Sequence, residues 1–127
     1  MTIAFWTLLA AIALPWVMAA LKKSPLAANG KYSNRAPRAM QPNLQGFSQR
    51  AYWAEQNGYE VLPAFIAAVF VAHFAGADQA TTDQFAVGFI VSRIIYSICY
   101  LMNWATLRSI VWLAGLLFII GLFVISA

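Results

Sequence analysis

Four long apolar stretches, residues 1–21, 46–76, 83–104 and 109–127, take up most of this chain. At about 1.5 Å of rise per residue, each can cross a hydrocarbon core of about 30 Å as a helix. The pattern predicts an all-α integral membrane protein, a four-helix bundle forming one domain over residues 1–127, with a loop at residues 22–45 and no length left for a second domain. Composition agrees: with 62% of the residues hydrophobic and 9% charged, there are too few polar side chains to cover a soluble domain. The first stretch has its lysines, Lys22 and Lys23, after the apolar run and no basic segment before it. That order predicts a retained helix, not a cleaved leader, kinked at Pro15. A single cysteine, Cys99, excludes an internal disulfide and a paired-cysteine motif, and no spacing of ligand residues suggests a metal site.

The net charge of +4 is placed in a way that points to a membrane, not to nucleic acid. Lys22, Lys23, Lys31, Arg35, Arg38 and Arg50 lie in or beside the first loop, and the loop between the second and third stretches holds Asp78 and Asp83. The preference of basic loops for the cytoplasm predicts a cytoplasmic first loop and both termini outside. Trp16, Tyr52, Trp53, Trp104 and Trp112 then fall towards the cytoplasmic interface, where amphipathic aromatics are favoured. The basic loop is compatible with orientation and attraction to anionic lipid, or with a part in binding a substrate.

Ionisable residues within a span cost a few kcal/mol or more, so they mark candidate sites. Arg50, Trp53, Asn57 and Glu60 are spaced three, four and three apart, which at about 100° per residue confines them to one arc of roughly 80°. Arg93, Tyr96, Tyr100 and Asn103 repeat that spacing on the third stretch. Two such stripes predict a shared polar cleft open to the cytoplasmic half, or a polar network that fixes helix register. Glu60 and Arg93 each stand about ten residues from the cytoplasmic end, roughly 15 Å deep, which predicts an ion pair within or between subunits. Further along the second stretch, Ala64, Ala68, Ala72 and Gly76 form a ladder of small residues of the kind that lets helices from different subunits approach closely. His73 reads as an interfacial residue.

The run RAYWAEQNGYEVLPAF on the second helix, RIIYSICY on the third and a lone Arg108 at the head of the fourth resemble the MAPEG family, the membrane-associated proteins of eicosanoid and glutathione metabolism, in a bacterial-type member. The resemblance spans nearly the whole chain. It implies a homotrimer in the bacterial inner membrane, with glutathione bound as co-substrate between subunits on the cytoplasmic side. The activity implied is a glutathione transferase or peroxidase acting on a lipophilic electrophile or a lipid hydroperoxide. Carried over by position, Asn57 and Glu60 hold the backbone of glutathione, Tyr96 and Tyr100 line the site, and Arg108 is the catalytic residue beside the thiol. Arg50 and Arg93 join the glutathione-binding set. The pattern departs at Trp53, where a basic residue is expected, and at Val61, where a tyrosine is. Arg50, or Arg35 and Arg38 from the loop, are the cations available to replace the one missing at position 53. The alternative function is a non-catalytic membrane protein that binds a lipid or a partner subunit between its helices. A transporter is disfavoured by the low span count and the lack of paired helix breaks.

Overall fold

The computed structural model describes residues 1–127 and is all-helical. Four long helices, α1 (Ile3–Ala28), α2 (Gly46–Phe74), α3 (Gln79–Leu101) and α4 (Ala105–Val124), are each long and apolar enough to cross a membrane. A short 3-10 helix, η1 (Pro37–Asn43), lies in the first loop. α1 packs along α2 and α3 along α4, and the two pairs are joined through contacts of α3 with α1 and α2 and of α2 with α4.

The helix ends follow from local chemistry. The Thr2 hydroxyl accepts the Phe5 N–H at 3.2 Å, and Asp83 of α3 accepts the Ala4 N–H at 2.8 Å. Two of the unpaired donors at the start of α1 are thereby satisfied, one of them by another helix. Asp78 caps α3 by accepting the Thr81 N–H at 2.9 Å, so α3 starts at Gln79, four residues ahead of the predicted start at 83. α3 ends in a tight turn with Asn103 at φ 60°, and α4 begins at Ala105, not 109. Arg108 is therefore the fourth residue of α4, at the end of its first turn, and does not open the helix.

Two expectations are corrected. α1 does not end at Leu21: it runs on through both lysines to Ala28, because Lys22 is buried there against α2. The helix also continues through Pro15, which packs so closely on Gly58 that a methyl group at position 58 would lie 2.7 Å from its ring. The small-residue ladder of α2 divides: Ala68 and Ala72 are used inside the chain, and Ala64 and Gly76 stay exposed. Ala68 and Ala72 are wholly buried in a core with Ala4 and Ala11 of α1, Ala86 and Phe89 of α3, and Ile119 and Leu122 of α4. Phe65 and Phe89 stack there with ring centroids 4.0 Å apart. Small residues let backbones approach, and here the covering helices belong to the same chain. Ala64, Ala67, Phe70 and Val71 are among the residues of α2 that stay exposed.

Candidate functional site

Core packing closes the half of the bundle near Asp78, and the polar side chains gather at the other end, where the first loop lies. Arg50, at the start of the second turn of α2, donates through Nε to the Leu101 carbonyl at 3.1 Å and so ties the start of α2 to the end of α3. A cation at a helix C-terminus meets both an unpaired carbonyl and the negative end of the helix dipole. Above this tie the faces of α2 and α3 form an open groove of about 370 Å³, lined by Trp53, Gln56, Asn57, Glu60, Tyr96 and Tyr100. The two stripes thus meet at Trp53, Asn57, Glu60, Tyr96 and Tyr100, while Arg50 lies on the tie below the groove, Arg93 is turned into the bundle, and Asn103 lies in the turn beyond α3.

Aromatic faces hold the cations. The Tyr96 and Tyr100 rings meet edge to face at 5.6 Å, and Trp53 reaches Tyr100 at 6.3 Å. The Arg108 guanidinium lies 4.2 Å from the centre of the Tyr100 ring, and that of Arg93 lies 4.1 Å from Tyr96. The ring quadrupole attracts a cation so placed, more strongly where water is excluded. The amide of Asn57 donates to Glu60 at 3.3 Å, while its own Oδ1 is buried without a donor. An acceptor left unmet in this way costs about 1–3 kcal/mol until a donor arrives.

The expected Glu60–Arg93 ion pair does not form within the chain. Its one ion pair joins Lys22 to Glu55. Depth is only one of the two coordinates of a helical residue: Arg93 is turned inward and buried, and Glu60 faces outward and is exposed. Arg35 and Arg38 do not line the groove of their own chain. Arg35 is exposed, and Arg38 borders a second cavity, between α1, η1 and α2. Lys22, Glu55 and Gln56 are the polar residues missing from the sequence-based set. Glu55 is an acid inside an apolar span, which is a signal in itself. Its partner is hidden because Lys22 reads as a loop residue. No group of His, Cys, Asp and Glu stands close enough to hold a metal ion.

Glu60, the Asn57 acceptor, two tyrosines and the nearby guanidinium of Arg108 suit a polar ligand carrying both charges, held against aromatic walls. The MAPEG family model matches residues 3–127, almost the entire chain. The chain belongs to the MAPEG family. It is accordingly an integral membrane protein of the family of glutathione and eicosanoid metabolism. Comparison with curated proteins gives no match, and comparison with solved structures gives none.

Proposed function

We propose that this MAPEG protein is a membrane-bound glutathione-dependent transferase or peroxidase whose polar groove takes glutathione and whose apolar surroundings admit a lipophilic electrophile or a lipid hydroperoxide. The observation that carries the reading is Arg108, held over the face of Tyr100 beside the groove. A thiol reacts as its thiolate, and a fixed guanidinium next to it lowers the thiol pKa, more so in a site of low dielectric. Attack by that thiolate on an electrophilic carbon forms the C–S bond of a conjugate and expels the leaving group, or on addition leaves an anion that takes up a proton. Attack on a hydroperoxide oxygen forms an S–O bond as the O–O bond breaks and the alcohol leaves, and a second glutathione thiol converts the resulting sulfenic acid to the disulfide and water. Glu60 is free to accept from the ammonium of glutathione, and the unpaired Asn57 Oδ1 is free to accept from an amide N–H. Arg50 stands at the foot of the groove for a carboxylate of glutathione, and Arg93, buried over the Tyr96 ring, adds positive charge behind the wall. Arg35 and Arg38 reach a groove only if it belongs to a neighbouring subunit, as in a homotrimer.

The proposed orientation keeps the first loop cytoplasmic and the termini outside, in the inner membrane of a bacterium. A second reading, a non-catalytic protein holding a lipid, is supported by Trp53, which puts an exposed aromatic ring where a glutathione-binding cation is expected. Calorimetric titration of glutathione into the detergent-purified protein separates the two. Saturable binding, with thiolate absorbance that disappears in Arg108→Leu, supports the enzyme. An absence of binding supports the lipid reading.

A further inference from the structure

The second cavity lies on the opposite face of α2 from the groove. A partly open cavity of about 170 Å³ lies where α1, η1 and α2 meet, and its wall combines two chemistries. Leu26, Met40 and Leu44 make an apolar floor, and Lys22, Lys23 and Arg38 surround it with positive charge. Lys22 is neutralised by Glu55 at 2.6 Å. Lys23 and Arg38 have no carboxylate: of the four acidic residues, Glu55 is taken, Glu60 is on the groove face, and Asp78 and Asp83 are at the far end of the bundle. Three cations less one carboxylate leave a formal +2 around the cavity. Lys23 is steadied over the Tyr32 ring at 5.6 Å, and Gln41 adds an uncharged donor to the wall.

The cavity lies at the end of a membrane-spanning helix, where α1 leaves the hydrocarbon. A ligand that satisfies it carries negative charge on oxygen and an apolar body directed back towards the bilayer. We propose that this cavity binds the phosphate of an anionic phospholipid headgroup, with Lys23 and Arg38 on the phosphate oxygens and the start of the acyl region over Leu26, Met40 and Leu44. Free phosphate shares the anionic chemistry but leaves the apolar floor uncovered.

Native mass spectrometry of the full chain in mild detergent tests the proposal, with short-chain phosphatidylglycerol, phosphatidylcholine and inorganic phosphate as probes. Wild-type protein should retain phosphatidylglycerol over phosphatidylcholine. The double variant Lys23→Gln with Arg38→Gln should reduce that preference by roughly twenty-five-fold, at about fivefold for each basic residue near anionic lipid. Lys31→Gln with Arg35→Gln, which removes equal charge outside the cavity, should keep the preference, as should Lys23→Arg with Arg38→Lys. The site is overturned by equal loss in the Lys31 and Arg35 variant, which would mean general surface attraction. Loss in the charge-conserving variant also overturns it, as does an unchanged preference in Lys23→Gln with Arg38→Gln. Retention of inorganic phosphate in place of phosphatidylglycerol overturns the lipid assignment.

Discussion

Lys22 and Glu55, 33 residues apart in sequence, meet at 2.6 Å between α1 and α2, with side chains only 10% and 8% exposed. Tyr59 also donates to the second carboxylate oxygen at 3.3 Å, and Lys22 lies 5.1 Å from the Tyr52 ring centre. A buried pair gains little over an apolar pair of the same size, but removal of one member leaves an uncompensated charge and costs about 3–5 kcal/mol. Glu55→Gln and Lys22→Met should therefore each destabilise the α1–α2 contact strongly, and the double variant should recover most of the loss. Unfolding in mixed micelles measures all three. A double variant as unstable as the sum of the singles would show that the two side chains act independently.

The contact between Gly58 and Pro15 sets how closely α1 approaches α2. A Cβ at position 58 would stand 2.7 Å from Pro15 Cγ and 3.4 Å from its Cβ, and the proline ring is too rigid to move aside. Alanine in a helix gains about 0.5–1 kcal/mol over glycine, and overpacking costs about 1–3 kcal/mol, so the clash wins. Gly58→Ala should lower the thermal midpoint, and Pro15→Ala in the same chain should restore part of it. A Gly58→Ala protein as stable as wild type would mean that the helices do not touch there.

The four spans were legible because an apolar run of that length has few alternatives in 127 residues. Their ends were less so. Lys22 looks like a loop residue until a partner 33 positions away makes its burial tolerable. The early starts of α3 and α4 depend on the Asp78 cap and the Asn103 turn, which the apolar pattern does not register. Spacing brought Trp53, Asn57, Glu60, Tyr96 and Tyr100 to one groove, since a three-four rhythm determines a helix face. The same rhythm does not tell which neighbour covers a face, so Ala68 and Ala72 proved internal. Depth alone likewise does not bring Glu60 and Arg93 together within one chain, since Arg93 is buried and Glu60 is exposed.

Asp78 gives a pH dependence at the end of the bundle away from the groove. Hydrogen bonds from the Thr81 hydroxyl at 2.7 Å and the Thr81 N–H at 2.9 Å hold its carboxyl below the ordinary value of 3.8. A depressed folded-state pKa means that the stabilisation is complete above the ordinary value and is lost as pH falls through the lower, folded value. Wild-type protein should thus lose thermal stability on acidification below about pH 4. Asp78→Asn, which keeps an acceptor but cannot titrate, should lose less over the same range. Parallel melting curves from pH 6 to pH 3 would reveal the difference, and identical slopes would exclude the cap as a source.

Arg108 and Tyr100 yield the prediction that bears most directly on chemistry. The guanidinium meets the face of the ring, 4.2 Å from its centre, so the π system and not the hydroxyl holds it. Tyr100→Phe should keep Arg108 in place, and Tyr100→Leu should release it, at a cost of about 0.5–1 kcal/mol for a partly exposed pair. If Arg108 acts on the thiol of bound glutathione, that loss raises the thiol pKa by about half a unit, since one unit corresponds to about 1.4 kcal/mol. Titration of thiolate absorbance in the two variants measures it. An equal rise in both would assign the effect to the Tyr100 hydroxyl. No rise in either would detach Tyr100 from the positioning of Arg108 and leave Arg108→Leu as the direct test of the thiol's partner.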